Sequence, residues 1–236
     1  MPILVGIDGT GSDINPGRAR DERYDQAFAN SFVSRLCKNK PNAQYNRGPV
    51  GLGGGLDVAI ASGMRFIEEK RRTLGANQPI LLTGYSRGAL GVLVIAQRLQ
   101  RQNIRVKAAL LFDCVDRHGD YDAEVVPNNT DHVLHVIRDP AANSRHSFGN
   151  DAMSYRPPTK YEGPFTFMCT HGGMGGTPWA RPAEARPTDL IDEGALEEDL
   201  NPFHNVTTNI SYEQDARVSG EVWAFCQGFI RTHSFM

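Results

Sequence analysis

The chain has 236 residues, 40% of them hydrophobic and 8% aromatic, which suits one α/β domain with a full core. A formal net charge of −2 offers no basic face for nucleic acid. No apolar run reaches the roughly 18 residues of a membrane span, and the opening MPILVGIDGTG lacks the basic n-region and cleavage site of a signal peptide, so a soluble cytoplasmic protein is expected.

Residues 2–8, PILVGID, read as a short buried strand running into the turn GTGSD. From Tyr24 to Cys37, Phe28, Phe32, Val33 and Leu36 recur at helical intervals and predict one helix. AQYNRG near residue 45 is a poorer strand candidate and GLGGG a turn. LDVAIASGMRFIEEKRRTL then sets Val58, Ile60, Ala61, Met64, Ile67 and Leu74 near one helical face. Pro79 opens a strand over Ile80–Thr83. The helix expected from about Arg87 to Gln100 is apolar nearly all round, which implies burial on several sides. VKAALLF, 106–112, is a continuous apolar run, as a parallel strand covered on both faces requires. HVLHVIR, 132–138, and FTFMC, 165–169, read as two more strands. Residues 172–210 have no clear period, are rich in Gly and Pro, and carry an acidic block between Asp189 and Asp199. The final SGEVWAFCQGFIRTH predicts an amphipathic helix with Val222, Phe225, Cys226 and Phe229 on one side. Cys37, Cys114, Cys169 and Cys226 form no CxxC pair and read as reduced core thiols.

This alternation predicts a doubly wound, mainly parallel sheet flanked by helices in three layers, as in α/β hydrolases. Residues 1–236 form a single domain on this reading. Residues 172–210 are a lid-like irregular insertion, with Trp179, Leu190, Ile191, Leu196, Leu200 and Phe203 as its apolar groups, or else a surface loop packed on the body. Right-handed crossovers bring the C-terminal ends of the strands to one edge, where ligand chemistry belongs.

That edge frames Gly84-Tyr85-Ser86-Arg87-Gly88, a serine between a predicted strand and a predicted buried helix. Glycines on both sides permit the sharp turn that lifts a serine hydroxyl above the sheet, and Ser86 is the candidate nucleophile. The plain alternative is a Gly-rich turn that only starts a helix. A serine nucleophile needs a base, and the base an orienting acid, in the chain order Ser, acid, His. His171 directly follows the last predicted strand and precedes two glycines, which fits the base. His132 and His135 share a strand on opposite faces and read as structural; no metal site or cofactor is expected. Asp113 ends KAALLFD and Asp139 ends HVIRD, and topology alone leaves both open as the acid. Backbone N–H groups of Thr10, in the loop after the first strand, and of Arg87 are the candidate oxyanion donors; the plain alternative for DGTG is a tight turn.

GIDGTGSD, YNRGPVGLGGG with AIASGMRFI, TGYSRGA, LLFDCVDRHG and CTHGGMGG occur in this order over residues 2–176. Together they resemble the α/β-hydrolase catalytic domain family of type VI secretion phospholipase effectors. The resemblance implies a Ser–Asp–His triad with its acid at the end of LLFD. It thereby favours Asp113 over Asp139 and supports Ser86 and His171. It further implies a carboxylic ester or (phospho)lipid substrate, cleavage through an acyl-enzyme without a cofactor, delivery by a secretion system, and a secretion-system or immunity partner. Two features depart from the pattern. The aspartate that usually follows the family's histidine is absent from His171-Gly172-Gly173-Met174, and the effectors' large lid or membrane-targeting modules have no counterpart in these 236 residues. A reading of a different class is a non-catalytic hydrolase shell that holds a ligand or protein partner.

Overall fold

The computed structural model describes residues 1–11, 18–50, 53–115, 119, 121–194 and 207–236. In chain order the elements are β1 (Ile3–Ile7), α1 (Arg18–Ala27), α2 (Phe32–Cys37), β2 (Ala43–Asn46), α3 (Leu56–Leu74), β3 (Ile80–Tyr85), α4 (Arg87–Arg101) and β4 (Val106–Phe112). They continue with β5 (Val125–Val126), β6 (Thr130–Arg138), β7 (Ser154–Tyr155), β8 (Lys160–Phe167), α5 (His171–Met174), β9 (Leu190–Asp192), β10 (Thr207–Ser211) and α6 (Tyr212–Thr232).

The central sheet has six strands in the order β2-β1-β3-β4-β6-β8, and every neighbouring pair is parallel. The chain steps outward from β1 to β2, then returns past β1 to β3 and winds the other way. The switch of direction therefore falls between β1 and β3, where such sheets open a crevice at the C-terminal strand ends. Two cores sandwich the sheet. One packs α3 and α4 on Ile3, Val5, Ile7, Leu82, Ala109 and Leu111; the other packs α2 and α6 on Leu4, Leu81, Leu110 and Val136. Period-2 alternation sends successive side chains of β1, β3 and β4 to opposite cores, so both positions of each pair must be apolar. That is why these strands read as unbroken hydrophobic runs.

Several expectations change in detail. The helix expected over Tyr24–Cys37 is two helices, because Ser31 caps α2: its Oγ accepts from Ser34 N at 3.0 Å, and Phe32 N donates to Gly175 O at 2.9 Å instead of continuing α1. Val58 and Leu74 face outward, and the buried stripe of α3 is Leu56, Ala59, Ile60, Gly63, Met64 and Ile67. β8 begins at Lys160, well before FTFMC, since as an edge strand it is only half buried and carries polar residues. Phe225 is exposed on the outer side of α6, where it packs against Phe165 and Phe167 of that edge strand. The irregular stretch contributes a hairpin: β9 pairs antiparallel with β10, and Ile191 and Ile210 pack on Ala142. Trp179 and Leu190 are exposed, whereas Leu196, Leu200 and Phe203 lie outside the described residues. The turns expected at GTGSD and GLGGG lie partly outside them as well.

All four cysteines are free and buried. His135 is buried in the sheet; its Nε2 accepts from Cys114 N at 3.3 Å, its Nδ1 lies 3.1 Å from the Tyr161 hydroxyl, and burial pushes its pKa down to about 4. His132 packs against His233 instead. Among the described residues no helix is long and apolar enough to cross a membrane.

Candidate active site

The turn at Ser86 is as tight as its glycines suggest. Ser86 has φ 57° and ψ −132°, in the left-handed region that L side chains avoid. A Cβ on Gly84 would sit 2.6 Å from Ala89 Cα, and one on Gly88 would sit 2.2 Å from the Ile7 carbonyl oxygen. The two glycines thus let α4 descend directly onto β3 and β1, and Ser86 N is tied to Phe112 O at 3.0 Å. The strain aims the hydroxyl above the C-terminal edge of the sheet, at the switch point.

His171 arrives from the far side of the sheet. Thr170 caps α5, and its backbone N and Oγ1 both donate to the buried Asp215 of α6, at 2.8 and 3.0 Å. His171 N donates to Ser144 Oγ at 2.7 Å, and the Ser144 hydroxyl donates to Glu193 at 2.8 Å. With its backbone held so, the imidazole lies with Nε2 2.9 Å from Ser86 Oγ and Nδ1 2.6 Å from Asp113 Oδ2. A proton on Nδ1, directed at the carboxylate, leaves Nε2 as the acceptor for the serine proton.

Asp113 directly follows β4, has φ 46° and is fully buried. Besides His171 it accepts from Arg138 Nη1 at 2.7 Å, Asn150 Nδ2 at 2.7 Å and Arg138 N at 3.3 Å. Asp139, the other acid left open by topology, is elsewhere: its carboxylate accepts from Ala141 N at 2.8 Å and caps the short turn Pro140–Ala142. Arg138, the neighbour of Asp139 in sequence, pairs with Asp113. Burial works to raise the Asp113 carboxyl, but the Arg138 guanidinium and the His171 hydrogen bond outweigh it and hold the group well below the usual carboxylate range. Burial lowers the His171 pKa; Asp113 opposes this and Arg138 adds to it, and the net position is below that of an ordinary histidine.

A cavity of about 250 Å³ opens over this relay, bounded among others by Thr10, Ser86, Arg87, Phe148, His171 and Trp179. Arg87 occupies the first position of α4, where N–H groups point out of the helix end. Thr10 lies in the loop after β1, and Arg87 Nη1 donates to its hydroxyl at 3.4 Å. Beneath that loop sits Asp8, fully buried, which accepts from Gly9 N at 3.0 Å, from the Tyr45 hydroxyl at 3.0 Å and from the Ser31 hydroxyl. Burial raises the Asp8 pKa to about 7. Tyr24 braces the same loop, its hydroxyl donating to Gly9 O at 2.5 Å.

Arg138, Ser144, Asn150, Glu193 and Asp215 are the members of this network that sequence reasoning did not find. Each is a single polar residue in a strand end, loop or helix, and only Arg138, next to a candidate acid, carried any signal. Among the described residues no three His, Cys, Asp or Glu side chains converge as metal ligands.

The parallel sheet wound both ways from β1 and the strained strand–serine–helix turn at its crevice are those of the α/β-hydrolase fold. No protein-family model matches the sequence, and no curated protein matches it either. Similar solved structures include a YdeN-like hydrolase from Pectobacterium atrosepticum, with 14% identity over 93% of this chain and 92% of the other and a TM-score of 0.39. A thioesterase of prodiginine biosynthesis from Streptomyces coelicolor has 15% identity over 75% and 85% of the two chains, with a TM-score of 0.39. Lysin B of mycobacteriophage D29 has 13% identity over 97% and 90%, with a TM-score of 0.29.

Proposed function

We propose that the protein is a serine hydrolase of carboxylic esters, with Ser86 as nucleophile, His171 as general base and Asp113 as the acid that orients it. The observation that carries this reading is the unbroken hydrogen-bond relay from Ser86 Oγ through His171 to Asp113, lining a cavity at the sheet's switch point. Ser86 Oγ attacks the ester carbonyl carbon as its proton passes to His171 Nε2. The developing oxyanion is met by the backbone N–H groups of Thr10 and Arg87. The imidazolium, balanced by Asp113, then returns the proton to the departing alkoxide, leaving an acyl-serine. Water repeats the sequence and releases the acid.

A lipid or phospholipid ester, delivery by a secretion system and an immunity partner rest on the motif resemblance to secretion effectors. In the same reading, residues 172–210 act as a lid: Gly172, Thr177, Trp179 and Glu193 all border the cavity.

Hydrolysis of 4-nitrophenyl esters by purified protein tests the proposal. Ser86→Ala should lower kcat by on the order of 10⁴-fold or more with an unchanged thermal melt, since one hydroxyl at the sheet edge contributes little packing. Activity within about tenfold of the parent would rule Ser86 out as nucleophile.

A further inference from the structure

The C-terminal half of α4 borders a second concavity. Arg98 and Arg101 lie one turn apart on that helix, and Arg156 directly follows β7. The three side chains line one groove of about 560 Å³, which shares no lining residue with the catalytic cavity. Ser86 stands at the other end of α4; at ~1.5 Å of rise per residue the arginines are roughly 20 Å from it.

Hydrogen bonds fix the walls to one another. Gln97 Nε2 donates to Asp122 O at 2.7 Å, and Asn129 Nδ2 donates to Ala96 O at 2.9 Å, which ties the segment before β6 to α4. β5 and β7 pair in parallel, and Arg156 N donates to Val126 O at 3.1 Å. The groove lacks a counter-charge. Among the described residues, no side chain forms a hydrogen bond or ion pair with the guanidinium of Arg98, Arg101 or Arg156. Asp122 is the single carboxylate among the described lining residues, and it accepts from Glu124 N at 3.0 Å. Three guanidiniums against one carboxylate leave a surplus of two formal positive charges in a chain whose own net charge is −2. The helix dipole accounts for cations in the last turn of α4, but not for Arg156, which a separate pair of strands brings to the same place.

We propose that this groove binds a small soluble molecule carrying a phosphomonoester, at a site separate from the catalytic cavity and independent of the chemistry assigned to it. A phosphomonoester carries about −1.5 to −2 charge at neutral pH and three acceptor oxygens, which balances the surplus where a lone carboxylate would not. Guanidinium forks match phosphate geometry. The groove's volume falls within the roughly 300–1,000 Å³ of small-molecule sites.

The probe is glycerol 3-phosphate, with glycerol as its neutral counterpart, titrated into the full chain by calorimetry. The phosphate ester should bind saturably and more weakly as salt rises, and glycerol should not bind. Arg98→Gln and Arg156→Gln should each weaken binding by at least about tenfold with unchanged thermal melts, and Arg156→Lys should lose less. Arg145, which borders the catalytic cavity and has Nε 3.7 Å from Glu193 Oε2, is the control: Arg145→Gln should bind like the parent. The proposal is overturned by absence of saturable binding, by binding that survives both Arg98→Gln and Arg156→Gln, or by binding lost only in Arg145→Gln, which would place the phosphate beside Ser86. Co-sedimentation with phosphatidic acid vesicles, without uptake of glycerol 3-phosphate, would overturn the soluble ligand in favour of a lipid headgroup. Because the binding arm needs no turnover, its failure leaves the hydrolase reading intact, and an inactive protein that binds the phosphate ester leaves the groove intact.

Discussion

Arg138→Gln should displace the pH–rate profile upward and destabilise the protein. The Arg138 guanidinium and the His171 imidazole bond the same Asp113 oxygen, at 2.7 and 2.6 Å, so the two groups lie roughly 5 Å apart. At that separation and an effective dielectric of about 20, two unit charges repel by about 3 kcal/mol. The guanidinium therefore opposes protonation of His171, in accord with the lowered pKa of that residue. In the parent, kcat/KM should rise with pH through a midpoint below the ordinary histidine value of ~6.5 and be near its plateau at neutrality. Removing the positive charge favours imidazolium and should move this acid limb to higher pH. Asp113 is fully buried and Arg138 nearly so, and stripping one partner from such a pair costs about 3–5 kcal/mol. For a chain of this length that is a drop in Tm on the order of 10 °C. The assay is kcat/KM for a neutral 4-nitrophenyl ester from pH 4.5 to 9, at a temperature where a melt shows each variant folded. Arg138→Lys keeps the charge but not the bonds to Ser144 O, Arg145 O and Gly149 O; its limb should stay near the parent's even though it too is destabilised. An acid limb that does not move in Arg138→Gln, or moves down, would refute an electrostatic role for Arg138 and leave it a structural brace.

Asp113→Asn should lower kcat by roughly 10⁴-fold, because an amide at that place favours the wrong imidazole tautomer; Asp139→Asn, measured beside it, should stay within a few-fold of the parent because Asp139 only caps a surface turn. An inactive Asp139 variant beside an active Asp113 variant would reverse the assignment. Asp8→Ala removes the anchor of the Gly9–Gly11 loop and should cost about 10²- to 10³-fold in kcat, the value of an oxyanion donor, with a smaller effect on KM. Asp8→Asn keeps an acceptor for Gly9 N and should recover most of the rate; equal losses in both variants would show that the charge, not the loop anchor, is what matters.

The central strands were legible because burial on both faces forces an unbroken apolar run, and Ile80–Tyr85 and Val106–Phe112 have little else in them. β8 was only half visible, since an edge strand needs one covered face and tolerates Lys160, Glu162 and Gly163. The break at Ser31 escaped because the apolar spacing continues across it; what ends α1 is a cap and a hydrogen bond to Gly175, a residue more than a hundred positions away. Ser86 and His171 stood out because each lies between a predicted strand and glycines. The choice between Asp113 and Asp139 could not be made from topology, because both end adjacent parallel strands. Three-dimensional register decides which carboxylate meets the imidazole. Arg145 and Glu193 were invisible for the same reason: neither lies in a motif, and their meeting depends on how the hairpin of β9 and β10 packs beside the loop after β6.

The most direct test of the account is covalent labelling by a fluorophosphonate, which phosphonylates a serine only when a base activates it and an oxyanion site receives the product. Intact-mass spectrometry should show one adduct per chain, peptide mapping should assign it to Ser86, and Ser86→Ala and Asp113→Asn should abolish or strongly slow it. The labelling rate should rise with pH along the same limb as ester hydrolysis. A folded protein that stays unlabelled, or carries the adduct on another serine, would contradict the assignment of Ser86 as an activated nucleophile.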